Sequence, residues 1–269
     1  MIYSELPNLI QQVLSIGAKF GYINKKIYID HVGRYSSVYK YRIWSELEKL
    51  KLISAWNGQD FSKNYYYLNK KGRELMLRAG VVAVSKVHPI YFEHDNAVMK
   101  FALENTNALQ ILADYQTESS MRLYDNYKLH QIFGGQLNKF PDLLASLNVA
   151  SQKIKIAIEV EKSAKNQSRY DDFVMGYSKA KDIDMVLVAH SHKFTREALL
   201  LSMRRLAYPR AQRPMAFCNF SEFVNNPTDF TLEIEGHRIK FCDYVKNVQR
   251  IVEKQKSVKT QLTSELTKF

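Results

Sequence analysis

Three carboxylates fall within two short stretches of the chain, Phe140-Pro141-Asp142-Leu143 and, after a linker, Lys155-Ile156-Ala157-Ile158-Glu159-Val160-Glu161-Lys162. Both read as strands, the first with an acid after a proline and the second with two acids after an apolar run. Alternation along the second places Glu159 and Glu161 on one face, and Ile156, Ile158, Val160 and Lys162 on the other. If the strands adjoin, three acids meet at one point. Clustered carboxylates raise one another's pKa unless a cation sits among them. A divalent metal is the simplest such cation: hard oxygen donors suit Mg2+ or Mn2+, and these ions stabilise in-line displacement at a phosphodiester. A solvated strand edge studded with charge has the same local pattern, so the surrounding elements must decide.

Composition narrows the choice. The 269 residues suffice for one large or two smaller domains. Neither a membrane-spanning apolar run nor a signal-peptide pattern is present, so a soluble, cytoplasmic protein without membrane insertion is expected. Cys218 and Cys242 lack zinc-like spacing, and Cys218 sits in an apolar run as a small core residue. Lysine and arginine number 39 against 27 acids, a formal net charge of +12. Such a surplus favours a polyanionic partner, with nucleic acid ahead of anionic membrane, because phosphate neutralisation releases condensed counterions.

The elements before the acidic strands form two groups. In the first, Leu6, Leu9, Ile10, Val13, Leu14 and Ile16 recur at helical spacing until Gly17 and Gly21. A short segment at 27–32 follows, then a helix capped at Ser36-Ser37 that buries Val38, Tyr41, Ile43, Trp44, Leu47 and Leu50. Its exposed face would carry Tyr39, Lys40 and Arg42, as a helix entering a major groove does. Residues 52–56 and 65–68 read as a hairpin whose polar loop contains Lys63, and Asn69 caps another helix. The run "LEKLKLI…YYYLNKKGREL" resembles winged helix-turn-helix domains, which places a DNA-binding domain at 1–88, with Pro89 restarting the chain.

The second group spans 89–245. A helix is expected over 91–107 with His94 and Asp95 in its first turn, His94 reading more readily as a packing residue than as a ligand. Strands are expected at 109–115 and 184–189, with pairing extended through Met121–Tyr124, and a helix through Tyr170, Phe173, Val174, Tyr177 and Ala180 lies between the acidic strand and the last strand. Glu118 either points into the site or caps a turn. With "KFPDLL", "KIKIAIEVEKS" and "DIDMVLVA", this order resembles the PD-(D/E)xK restriction-endonuclease-like core, a mixed sheet flanked by helices and so an α/β (α+β) fold. "YQTES" and "IAIEVEKSAKNQSRYDDFVMGY" after a winged helix resemble more narrowly the replication-relaxation family, which includes MobC-type plasmid mobilisation relaxases. The resemblance covers roughly residues 30 to 190.

That resemblance implies a metal-dependent DNA endonuclease acting as a relaxase, nicking one strand at a plasmid transfer origin, with accessory mobilisation proteins as further partners. It makes Asp142 and Glu159 the metal-binding pair, with the Val160 carbonyl as a further ligand and Glu118 as an additional candidate. Glu161 stands where many such nucleases have Lys; Lys162 is adjacent but faces away on a regular strand, and Lys165 and Lys179 are further positive groups. Tyr124, Tyr127, Tyr170 and Tyr177 flank the site, and nothing selects one as a nucleophile. A restriction or repair nuclease of the same fold, and a non-catalytic DNA-binding replication initiator or regulator, remain alternatives.

Beyond the core, His190-Ser191-His192 reads as a strand-end loop. A helix capped by Thr195 buries Leu199, Leu200, Met203 and Leu206, and exposes Arg196, Arg204 and Arg205, with Arg210 and Arg213 beyond, as a phosphate-contacting cluster. Strands are expected in "PMAFCNF" and in "DFTLEIEGHRIKFCDYV", which turns at Glu235-Gly236, followed by a helical tail at 246–269. Oligomeric state and DNA target are not legible.

Overall fold

The computed structural model describes residues 2–32, 35–56, 64–85, 87, 89–108, 111–123, 140–149, 152–180, 182–210 and 213–266. The chain is mixed α/β, with a three-stranded sheet near the N-terminus and a seven-stranded sheet beyond it.

The N-terminal elements follow from their caps and apolar spacing. Helix α1 (Asn8–Phe20) buries Leu9, Ile10, Val13 and Leu14 and ends at Gly21, whose φ of 74° is a left-handed cap open to glycine. Gly17 lies inside the helix, where an added Cβ would sit 2.9 Å from the Leu68 side chain; it is a close-packing point, not a stop. Strand β1 (Ile23–Asn24) leads into α2 (Lys25–His31), capped by Asn24. Helix α3 (Ser37–Lys49) is capped by Ser36, whose side chain accepts from the Tyr39 amide. Strands β2 (Ile53–Ala55) and β3 (Tyr65–Leu68) pair antiparallel, β1 adds to the other side of β3, and α4 (Lys70–Arg78) starts at the Asn69 cap.

Helix α5 (Phe92–Leu103) opens the second part and also locks it to the first. The Phe92 ring stacks on Tyr65 at 4.3 Å, lies 4.4 Å from Tyr22 and meets Trp56 edge-on at 5.1 Å. Asn96 one turn on donates to the Tyr65 hydroxyl at 2.8 Å and accepts from the Tyr22 hydroxyl at 3.0 Å. One apolar cluster therefore runs through both parts.

Strands β4 (Leu112–Thr117), β5 (Leu143–Val149), β6 (Gln152–Glu161), β7 (Met185–His190), β8 (Met215–Asn219), β9 (Thr231–Ile234) and β10 (His237–Lys240) lie side by side in chain order. The β6–β7 and β7–β8 pairs are parallel and the rest antiparallel. Alternation sorts the two faces. Leu143, Ile156, Ile158 and Val160 face α5, whereas Leu144, Ala157, Val186 and Val188 face α7 (Gln167–Lys179) and α8 (Lys193–Arg205). Central β7 is buried on both faces, which is why it reads as an unbroken apolar run.

The structure departs from the expected elements at three places. Residues 118–123 form helix α6 (Glu118–Leu123), whereas pairing was expected to extend through Met121–Tyr124. Thr117 and Ser120 cause this: the Thr117 amide donates to Ser120 Oγ and the Ser120 amide to Thr117 Oγ1, a reciprocal cap that turns the chain out of β4. Helix α8 is capped by His192, because Thr195 is fully buried and accepts from the Tyr170 hydroxyl at 3.2 Å. The C-terminal helix α10 begins at Phe241, whose ring stacks on Phe230 at 4.9 Å, and runs to Leu266 after the short α9 (Phe220–Asn225). Cys218 is buried and both cysteines are free. No helix among the described residues is long and apolar enough to cross a membrane.

Candidate active site

The start of β5 and the end of β6 are neighbours. Leu143 pairs with Ile158, so Asp142, one residue earlier, stands at the level of Glu159. Asp142 is 5% exposed. Its Oδ2 accepts from the Val160 amide at 2.7 Å and lies 3.0 Å from His94 Nε2, while its carbonyl accepts from the Glu118 amide at 3.1 Å. His94 Nδ1 is 2.9 Å from Asp95 Oδ1, so the imidazole bridges two carboxylates. Burial alone would lower the His94 pKa, but the hydrogen bonds and charges of Asp142 and Asp95 outweigh it and raise the pKa from 6.5 to about 10. With both ring nitrogens facing carboxylates, the imidazolium is the form this geometry holds.

Glu161 is 4% exposed and forms an ion pair with Lys165, four residues on. The loop carrying Lys165 is fixed from behind: the Lys165 amide donates to the Tyr170 hydroxyl at 3.0 Å, and Asn166 caps α7. Glu159 shares the strand face of Glu161 but lies deeper, 1% exposed, with Oε1 accepting from the Tyr177 hydroxyl at 2.6 Å. Burial first, then the Glu159 charge and hydrogen bond, then the Asp142 charge hold the Tyr177 pKa well above its ordinary value. Tyr177 is thus a fixed donor rather than a nucleophile. The Tyr170 hydroxyl is likewise engaged, accepting from the Lys165 amide and donating to Thr195 Oγ1. Tyr124 and Tyr127 lie outside the described residues.

These strand ends border a cavity of about 780 Å³. Asp142, Val160 and Glu161 line it, as do His94, Asp95, Tyr91 and three cationic residues, Arg122, Lys162 and Lys165. Glu118 also lines it and accepts from Arg122 at 2.6 Å. Lys162 leaves the strand on the α5 side, as alternation requires, and its Nζ lies 2.5 Å from Glu93 Oε2. Glu159 is not among the lining residues. The cavity therefore brings together Asp142 and Glu161, whereas Glu159 faces Tyr177.

The donor set is the test of whether a metal suits this site. Among the described residues, no three His, Cys, Asp or Glu side chains stand as a ready cage. Mg2+, however, is commonly held by one or two carboxylates with the remaining positions left to water and substrate phosphate. Asp142 and Glu161 on one cavity supply such a hard-oxygen pair, and Glu118 and the Val160 backbone border the same space. The residues fit, with the His94 imidazole and the Lys165 ammonium compensating the two acids as they stand.

The expected DNA-contacting residues divide. Arg42 is exposed on α3, and Tyr39 is partly exposed with its ring 5.6 Å from Tyr35. Lys40 does not share that face, because it is 5% exposed and its Nζ donates to the Ile29 carbonyl at 2.7 Å, tying α3 to α2. Val38 and Tyr41, expected inside, are exposed instead. Lys63 lies outside the described residues. Arg204 is exposed, Arg205 pairs with Asp171, and Arg213 is buried, with Nε donating to the Ile183 carbonyl at 2.9 Å. Arg213 is therefore structural, contrary to its expected exposure.

Sequence reasoning underweighted His94, which reaches the site across 48 residues, and did not find Arg122. The available signal was position: the first turn of α5 and the helix after β4 both sit at the strand ends that carry the acids. No protein-family model, curated protein or solved structure matches the chain.

Proposed function

We propose that the protein is a metal-dependent DNA endonuclease of the relaxase kind, nicking one strand at a plasmid transfer origin. One observation carries the reading: strand ends deliver Asp142 and Glu161 to a single cavity that also presents Arg122, Lys162 and Lys165. Hard-oxygen donors beside cationic side chains match the needs of a phosphodiester, whose charge must be neutralised while the carboxylates serve an ion. A net charge of +12 supplies sequence-independent affinity for the backbone. The strand order, with two antiparallel pairs followed by two parallel ones, agrees with a restriction-endonuclease-like core. The α1–α4 and β1–β3 arrangement agrees with a winged helix at 1–88 that presents α3 to DNA.

In this reading Asp142 and Glu161 hold Mg2+ or Mn2+, with Glu118 and the Val160 carbonyl as further donors. The ion would supply charge stabilisation at the scissile phosphate. The chain's own groups do the remainder. Lys165 and Arg122 bind phosphate oxygens, the Val160 amide and His94 Nε2 orient the Asp142 carboxylate, and Tyr177 fixes Glu159 behind the site.

Supercoiled plasmid carrying a transfer origin, incubated with protein and Mg2+ or Mn2+, should become open circle, and Asp142→Asn or Glu161→Gln should abolish this. Nicking that survives both substitutions refutes the reading. Double-strand breaks would favour a restriction or repair nuclease. The compensation of both acids by His94 and Lys165 favours a second reading, a non-catalytic DNA-binding initiator or regulator. That reading predicts sequence-specific binding without cleavage in any divalent ion.

A further inference from the structure

A second cavity, of about 520 Å³, opens on the α7–α8 face of the large sheet and shares no lining residue with the first. Its floor is apolar: Met203 from α8 and Met215 and Phe217 from β8 are all nearly fully buried there. Its rim is guanidinium, with Arg196 and Arg204 from α8 and Arg210 from the loop beyond. Arg196 pairs with Glu233 through Nη2, which leaves its Nε buried without a hydrogen-bond partner. Among the described residues neither Arg204 nor Arg210 has a side-chain partner.

Glu233 neutralises Arg196, which leaves Arg204 and Arg210 on one concavity with Glu235 as the remaining acid, and like charges so gathered repel one another. That cationic surplus points to a ligand that is anionic and rich in acceptor oxygens. Phosphate matches the planar guanidinium fork and takes two donors at once. The floor adds a second requirement, because a bare anion gains nothing from Met203, Met215 and Phe217, whereas a planar apolar group does. The cavity volume falls in the range of small-molecule sites, about 300–1,000 Å³. The Glu235 carboxylate on the turn between β9 and β10 offers an acceptor for a base amino group.

We infer that this cavity binds a nucleoside phosphate, its phosphate on Arg204 and Arg210 and its base over the methionine and phenylalanine floor. The assignment does not depend on whether Asp142 and Glu161 cleave DNA. The nucleotide has two sources, a free mononucleotide or one residue of an unpaired DNA strand.

Calorimetric titration of the full chain with the four deoxynucleoside monophosphates, with inorganic phosphate and with a short single-stranded oligonucleotide tests it. The double variant R204A/R210A should retain its melting temperature, since neither side chain has a partner to lose among the described residues. It should bind mononucleotide or oligonucleotide at least about tenfold more weakly, the loss expected for charge-assisted hydrogen bonds. The charge-matched variant K246A/R250A, on α10, should bind as the parent does. Mononucleotide binding assigns the free source, and binding of the oligonucleotide alone assigns the strand. Equal losses in the two double variants would reduce the effect to net charge and overturn the proposal. So would inorganic phosphate binding as tightly as the nucleotides, or no binding of any of the three probes.

Discussion

His94 Nε2 lies 3.0 Å from Asp142 Oδ2, joining the first turn of α5 to the start of β5 across 48 residues. The same turn carries Phe92 against Tyr65 and Tyr22, so one helix end touches both the N-terminal sheet region and the acidic cavity.

The first prediction is a pH dependence. The folded His94 pKa, about 10, lies above the ordinary 6.5, so the imidazolium is favoured by folding. Its stabilisation is fully present below about pH 6.5 and is lost as pH rises toward 10. Urea unfolding without divalent ion should show wild-type stability falling more steeply than that of His94→Gln between pH 7 and 10. Parallel curves would remove the charged imidazole from the account.

Lys165→Ala removes the ammonium from a carboxylate that is almost wholly buried. The variant should lose about 1–3 kcal/mol, the cost of stranding a buried acceptor. Divalent ion and Lys165 both compensate Glu161, so Mn2+ should raise the melting temperature of Lys165→Ala more than that of the parent. An equal Mn2+ shift in the two proteins would place the ion away from Glu161.

Helix α3 separates stability from binding at two residues within one turn. Lys40→Ala orphans the Ile29 carbonyl and should cost about 1–3 kcal/mol. Arg42→Ala, on the exposed face, should change stability by less than about 0.5 kcal/mol while weakening DNA binding and reducing its salt dependence. Denaturation and fluorescence anisotropy at two salt concentrations read both effects.

The difference between Lys40 and Arg42 also shows where sequence reading stops. The helix was legible from its apolar spacing and its Ser36 cap, but whether a lysine at its start is solvated depends on α2 packing beside it, which no local pattern encodes. Strands β5 to β7 were legible because alternation and an unbroken apolar run leave few alternatives. The withdrawal of Glu159 from the cavity that Asp142 and Glu161 line was not. Glu159 and Glu161 share a face by alternation, and only the depth of the strand end beneath Tyr177 separates them. Likewise, Thr117 and Ser120 turn the chain into a helix through a two-residue exchange of hydrogen bonds that a strand-like composition hides.

The depth difference between the two glutamates yields the sharpest test. Glu159 is 1% exposed, accepts from Tyr177 and does not border the cavity, whereas Glu161 does. If nicking depends on the carboxylate that borders the cavity, Glu159→Gln keeps an acceptor for Tyr177 and should lower the rate by no more than about the hundredfold typical of an outer-shell change. Glu161→Gln should exceed that loss. Tyr177→Phe removes the donor instead and should cost about 1–3 kcal/mol of stability, with a rate loss no larger than that of Glu159→Gln. Nicking rates on supercoiled plasmid, read beside denaturation curves, separate the three variants. Equal, complete inactivation by Glu159→Gln and Glu161→Gln, both folded, would return Glu159 to the metal-binding pair that the sequence resemblance implies.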